Sequence, residues 1–263
     1  MKNILILGHN GMLGNMVLNF FKKTNKYNIS TLEEKFPSDG FKVKIKQIDC
    51  DIIVNCIGKI PQKTPTKSDI YLINTYFPVW LAENKPNSLI VHPSTDCVFN
   101  GNTKKIMYDS DDIMDANDTY GKSKRLASEL LNDFNNVFEI RTSIIGPELY
   151  DKKSLLEWIL SKNETEQVTG YTNHFWNGIT TLQWAKLLHD FIQNETFNKK
   201  IQIGTDRIDK FNLLKMICSI FNLKRNIIEF ETKETVNKCL KTDINILSLE
   251  KQLQELYVFL RNE

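Results

Sequence analysis

The first fourteen residues constrain the fold more than any other stretch of the chain. Ile4-Leu5-Ile6-Leu7 is apolar on both faces, as expected of a strand buried in a parallel sheet. Gly8-His9-Asn10-Gly11-Met12-Leu13-Gly14 follows at once, and apolar residues at 12, 13, 16, 17, 20 and 21 then take up a helical spacing. In a strand–turn–helix of this kind the first glycine permits the tight turn. The second lets backbone approach a pyrophosphate, and the third lets the helix pack closely on the sheet. The spacing is GxxGxxG rather than GxGxxG. Free N–H groups and the positive dipole end at the helix start attract phosphate. Gly8, Asn10, Gly11, Met12, Leu13 and Gly14 are therefore expected to line a dinucleotide site; the bland alternative is a simple tight turn.

The alternation continues. Strands are expected at 28–32, 51–57, 88–92 and 137–141, and helices at about 68–83 and 120–134. Strands alternating with helices imply right-handed crossovers and an α/β fold with a doubly wound, Rossmann-like parallel sheet. Between Glu33 and Asp51 there is room for little more than a short strand and connectors, since a full βα unit takes about 30 residues. One sheet-covering helix is thus expected to be missing. Further helices are expected at 153–161, 181–193 and 210–221. The division expected is a dinucleotide-binding domain over 1–146, with sheet-closing elements from about 180–210. A small C-terminal substrate-binding lobe would take 147–180 and 211–263.

Composition excludes several classes. Among 263 residues the net charge is only +2, so no strong field for nucleic acid or a membrane surface is present. No apolar run approaches the roughly 18 residues of a membrane span, and the first residues are too short for a signal peptide. Neither nucleic acid nor membrane is an expected partner. Five cysteines, Cys50, Cys56, Cys97, Cys218 and Cys239, lack CxxC spacing. A disulfide framework or metal site is not expected, and a cytoplasmic, reducing setting is. The sequons at Asn28, Asn163 and Asn194 would carry no sugar there.

Tyr120-Gly121-Lys122-Ser123-Lys124 opens a predicted helix with its Tyr and last Lys on one face. The ammonium is expected to lower the phenol's pKa, making Tyr120 a usable acid toward a ketone oxygen. A surface Tyr–Lys pair is the alternative. Beyond the second strand, Glu33 favours a free ribose 2′-hydroxyl, whereas Lys35 or His9 suits a 2′-phosphate. Because biosynthetic reductions commonly draw on NADPH, NADP(H) is the favoured cofactor and NAD(H) the alternative.

These segments resemble the extended short-chain dehydrogenase/reductases acting on nucleotide-sugars, above all dTDP-4-dehydrorhamnose reductases. The resemblance runs through Gly8 to Gly14, Asn55-Cys56-Ile57-Gly58, Asn74-Thr75, Ser94 to Phe99, Tyr120 to Lys124, and Arg141 to Gly146. It implies cofactor contacts from Asn55, Cys56, Ile57, Gly58, Asn74, Ser94 and Ile144 beside the glycine turn, Tyr120 and Lys124. It also implies that Thr95 hydrogen-bonds the substrate carbonyl, that Tyr120 donates the proton, and that Lys124 holds the nicotinamide ribose. The implied substrate is a nucleotide-linked 4-keto-6-deoxyhexose, and dimers common in the family imply a homodimer. Phe175 to Thr180 stands in place of a short Gly-x-Pro-Thr stretch, so Trp176 and Asn177 join Cys97 and Phe99 as substrate-side candidates. His174 and Trp176 fit a substrate wall and an aromatic core equally, and His92 fits a satisfied core histidine.

Cys97 departs from the simple reductases, which usually carry tyrosine there. In this it resembles GDP-L-fucose synthases and the epimerase/reductases that make UDP-L-rhamnose, where the thiol inverts C3 and C5 before reduction. A thiol whose pKa is lowered by a cation is then expected. By register after Gly146-Pro147 that cation is Lys153, with Lys152 the rival. The expected activity is a bifunctional 3,5-epimerase/4-keto reductase acting on a UDP-linked sugar or its 2-acetamido form. The alternatives are a simple 4-keto reductase and a non-catalytic dinucleotide-binding subunit.

Overall fold

Ile4 to Leu7 of strand β1 (Lys2–Leu7) have no exposure, which requires a sheet covered on both faces. The computed structural model, which describes residues 1–63, 66–102, 105–150 and 153–262, has that architecture. The chain runs through α1 (Met12–Thr24), β2 (Tyr27–Thr31), α2 (Asp39–Gln47) and β3 (Ile52–Asn55). Next come α3 (Lys67–Tyr71), a π-helical turn (Leu72–Tyr76), α4 (Phe77–Asn84) and β4 (Leu89–Ser94). A 3-10 turn (Asp96–Val98), α5 (Thr119–Leu131) and β5 (Val137–Arg141) complete the first half. The pleat sends Ile4 and Ile6 to one face and Leu5 and Leu7 to the other. The first pair joins a core with Phe21, Val54, Phe138 and Trp184, the second a core with Phe41, Ile53, Phe77 and Leu81.

The second half contributes β6 (Ile144–Ile145), α6 (Leu155–Leu160), β7 (Gln167–Tyr171), β8 (His174–Trp176), β9 (Ile179–Thr180) and α7 (Thr181–Asn194). Then follow β10 (Lys200–Gln202), β11 (Ile208–Asp209), α8 (Lys210–Ile220), β12 (Asn226–Phe230), β13 (Val236–Asn237) and α9 (Leu249–Arg261). Among the described residues six parallel strands form the main sheet, in the order β10-β5-β4-β3-β1-β2. The order reverses between β1 and β3, and the crevice above the C-terminal ends of those strands is where such sheets bind ligands. β10 extends the sheet beside β5, and α7 packs on α1. β8 lies between β11 and β13, so the start of α8 reaches Trp176.

The missing-helix expectation is overturned. The stretch between Glu33 and Asp51 holds α2, nine residues long, and no strand among the described residues. Ser38 caps it by accepting from the N–H of Phe41 at 3.2 Å, and Phe41 and Ile45, one turn apart, are fully buried against the sheet. What the fold omits is the short strand allowed for beyond β2, so residues 52–55 form the third strand. The helix expected at 68–83 is also interrupted, by the π-helical turn that carries Asn74 and Thr75.

Candidate active site

At the crevice, Gly8 has φ +74°, and a Cβ on it would sit 2.9 Å from backbone atoms of Cys56 and Ile57. Only glycine lets the turn lie against the end of β3. A Cβ on Gly14 would come within 2.2 Å of the Gly8 carbonyl oxygen, so α1 packs directly on the turn. Gly11 caps α1 without a side chain, and no acid stands in the first turn. Asn10 and Gly11 are exposed and Met12 is half-buried. This open helix start, free of competing carboxylates, fits a pyrophosphate. Leu13 is buried in the core, so its side chain serves the fold. Cys56 and Ile57 are half-buried and Gly58 is exposed at the β3 side of the crevice, while Ile144 is half-buried. Beyond β2, Oε1 of exposed Glu33 lies 2.9 Å from Nε2 of His9, tying the end of β2 to the glycine turn.

The catalytic candidates meet at the end of β4. Asp118 caps α5 by accepting from the N–H of Gly121 at 2.9 Å. A Cβ on Gly121 would be 2.3 Å from the Cys97 carbonyl oxygen, so glycine lets α5 close on the 3-10 turn. That approach brings the Tyr120 phenol beside Thr95 and Cys97. Thr95 Oγ1 also accepts from the N–H of Cys97 at 3.1 Å and donates to Asp96 at 3.0 Å. Burial, reinforced by Cys97, pushes the Tyr120 phenol above its ordinary value. The expected lowering by Lys124 is thus corrected. Lys124 turns inward, donating to the Pro93 carbonyl at 2.7 Å and lying 3.1 Å from His92 Nε2, and burial brings its ammonium down to about 8 against the pull of Glu139.

Cys97 also differs from expectation. Burial and then Asp96 push its thiol up to about 12, with Lys238 opposing. The lowered thiol anticipated for it is absent, because desolvation outweighs the nearby cation. Lys153 does not face it. Its exposed side chain donates to the Gln62 carbonyl at 3.0 Å, and its backbone N–H binds Glu148. Lys152 lies outside the described residues. The cations near Cys97 are Lys238 and Lys210. Lys210, first residue of α8, sits 5.4 Å above the Trp176 ring and faces Asp96, Cys97 and Cys239; burial lowers its pKa against these three.

Comparison with known proteins gives the family. The model of the RmlD substrate binding domain family matches residues 1–174. The chain belongs to that family. A Bacillus subtilis (strain 168) relative, spore coat polysaccharide biosynthesis protein SpsK, is 31% identical over 177 residues, which are 64% of this chain and 61% of SpsK. A Bacillus anthracis str. Ames dTDP-4-dehydrorhamnose reductase, solved in complex with NADP, superposes with a TM-score of 0.84 at 19% identity, covering 98% of this chain and 99% of its own. The Clostridium acetobutylicum ATCC 824 dTDP-4-dehydrorhamnose reductase gives 0.81 at 17%, covering 99% and 100%. At such identities the two structures bear on the fold alone.

Within this RmlD-family chain several residues that resemble binding positions have their side chains engaged by the fold. Phe99 is fully buried, stacked at 4.0 Å on Tyr108, and cannot touch substrate. Asn177 spends its amide on Leu240 N–H and on the Thr205 and Leu240 carbonyls. Asn74 bonds both ends of Lys59 and the Ser123 hydroxyl, bracing the loop after β3 against α5. Asn55 is turned inward to Ile57 N–H and His92, and buried Ser94 lies 3.5 Å from the Ser128 hydroxyl. Trp176 is buried, its indole N–H on Ser143, and meets the site through Lys210. His174 stacks on Tyr171 at 4.5 Å and reaches Thr232 at 2.8 Å. Lys210, Lys238 and the contact of His92 with Lys124 carry no local sequence signal.

Proposed function

We propose that this chain is an NAD(P)(H)-dependent reductase of a nucleotide-linked 4-keto-6-deoxyhexose, UDP-linked or its 2-acetamido form, which also inverts C3 and C5 to give an L-rhamnose-type sugar nucleotide. The observation that carries the reading is the nearness of Thr95 and Tyr120 past the C-terminal end of β4, on the same edge of the parallel sheet as the glycine turn that follows β1. The nicotinamide cofactor supplies the hydride when bound. The start of α1 would hold its pyrophosphate, and Lys124 would hold its nicotinamide ribose. Thr95 orients the ketone oxygen, and Tyr120, kept protonated by burial, donates its proton there.

For the inversion, the neutral Cys97 thiol acts as the acid and Lys210 takes the role expected of Lys153. A lysine held below its ordinary value serves as a base toward a C–H acidified by the ketone. A second reading, reduction without inversion, draws support from the high pKa of Cys97, which leaves little thiolate. Retention of Tyr120 and Lys124 argues against a non-catalytic subunit. The lobe formed by 147–180 and 211–263 is read as the sugar-nucleotide side. Exposed Tyr76 and Leu126 line one apolar groove and are read as part of the face that pairs with a second copy. All five thiols are free, which suits the cytoplasm, and no helix among the described residues is long and apolar enough to cross a membrane.

The test supplies unepimerised UDP- or dTDP-4-keto-6-deoxyglucose with NADH or NADPH in heavy water, with the product identified by NMR. Deuterium at C3 and C5 is expected. Cys97→Ala should lose that label yet reduce a pre-epimerised sugar within about tenfold of the parent rate. Reduction without label leaves the simple reductase, and cofactor binding without any turnover would overturn both.

A further inference from the structure

A buried polar chain runs beneath Lys124. Asn55 at the end of β3 is 1% exposed, His92 on β4 2%, and Lys124 on α5 7%. Asn55 Oδ1 accepts from the N–H of Ile57 at 3.3 Å, which fixes the amide and turns its Nδ2 to His92 Nδ1 at 3.4 Å. An amide nitrogen donates and does not accept, so Nδ1 is the acceptor. The ring is neutral, because burial and the neighbouring Lys124 hold its pKa well below the usual histidine range. A neutral ring that accepts at Nδ1 carries its proton on Nε2. Nε2 faces Lys124 Nζ at 3.1 Å, while the Pro93 carbonyl takes an N–H of the same nitrogen. Opposite an ammonium, Nε2–H sets donor against donor; opposite a neutral amine, it donates to the lone pair.

We propose that Asn55 and His92 form a tautomer lock, in which Nε2–H of His92 both aims Lys124 and weakens its hold on a proton. His92 is thereby a positioning residue for the Tyr120–Lys124 pair. Burial acts on Lys124 in the same sense. The opposing charge is Glu139 on β5, whose carboxylate is itself engaged by the Ser128 hydroxyl and by Arg141 at 3.8 Å. On its own helix the ionisable neighbour is Tyr120, one turn earlier, which stays neutral.

The test begins on the unaltered chain. Long-range 1H–15N correlation should show His92 as the Nε2–H tautomer throughout pH 6–9, and this needs no variant. His92→Gln offers Lys124 a carbonyl acceptor, so the 13Cε titration of Lys124 should move upward by about one pH unit. In Asn55→Asp the carboxylate draws the ring proton to Nδ1; the tautomer should switch and the Lys124 midpoint should rise. A merely structural role for His92 predicts neither change. An Nδ1–H tautomer in the unaltered chain, or a Lys124 midpoint unmoved in His92→Gln, overturns the lock. The kinetic arm rests on the reductase reading: with dTDP-4-keto-6-deoxyglucose and NADPH, the alkaline limb of kcat should move with the Lys124 midpoint. Absence of turnover in the unaltered chain tells against that reading, whereas the spectroscopic outcomes still decide the lock.

Discussion

Glu33 stands just beyond β2 with Oε1 2.9 Å from Nε2 of His9, a residue of the glycine turn. A carboxylate at this point accepts a hydrogen bond from a free ribose 2′-hydroxyl and repels a 2′-phosphate. Lys35, two residues on, is exposed and could answer that phosphate only against the nearer charge of Glu33. Glu33 therefore predicts a preference for NAD(H), against the NADP(H) preference expected from the reducing direction of the chemistry. Glu33→Gln removes the repulsion while preserving size and hydrogen bonding. The kcat/KM ratio for NADPH over NADH should rise about tenfold, or about 1.4 kcal/mol, chiefly through the KM for NADPH. A ratio unchanged within twofold would mean that Glu33 does not face the ribose.

At the scale of elements, α2 is the piece on which sequence and structure disagree most. Its anchors are few: the Ser38 cap and the fully buried Phe41 and Ile45. Phe41 packs edge-on to Phe77 at 5.5 Å and lies in the core that covers one face of the sheet. Phe41→Ala should cost about 3–5 kcal/mol in chemical denaturation, and Ser38→Ala about 1 kcal/mol. A loss below about 1 kcal/mol for Phe41→Ala would show that α2 does not cover the sheet. The same comparison explains what could be read in advance. β1 and the glycine turn were legible because an unbroken apolar run and three glycines act within fourteen residues. α2 was not, because two apolar anchors among lysines leave a weak pattern and the usual βα length argued against any helix. Tyr120 and Lys124 were legible as a local spacing, and Thr95 as a candidate only through the resemblance of Ser94 to Phe99. Lys210 and Lys238 reach Cys97 only because β8, β11 and β13 bring distant chain together, which spacing cannot encode. Lys153 failed for a local reason: Glu148 binds its N–H and that of Ser154, turning the segment toward Gln62. Phe99 and Asn177 have the right types at motif positions, but packing claims both.

Across the whole molecule, buried ionisable groups set a window of stability. His92, His174 and His189 are all held below the ordinary histidine value, with burial the first cause in each. The unfolded chain takes up protons there before the folded one does, so their contribution is present above about pH 6.5 and lost as pH falls below it. Partly buried Glu148, lowered by Lys63 and two backbone N–H groups against its own desolvation, adds a further loss below about pH 4.5. The alkaline side has the opposite sign. Cys56, Cys97 and Cys239 are raised by burial, so the stability they give is present below about pH 9 and lost as pH rises past it. Lys124, lowered to about 8, works against that limb: between about pH 8 and 10.5 the folded chain has released a proton that the unfolded chain keeps, which favours folding. Lys210, also lowered by burial, acts in the same sense, so the loss from the three thiols takes over only above about pH 9. Thermal unfolding followed from pH 4 to 10 should therefore show Tm falling below about pH 6.5, more steeply below pH 5, holding or rising slightly up to about pH 9, and falling only above that. In His92→Gln the limb between pH 6.5 and 5 should flatten, since the most deeply buried histidine no longer competes for a proton. A Tm that stays constant from pH 7 to 5 in the unaltered chain would mean that these histidines are solvated, and the buried chain beneath Lys124 with them.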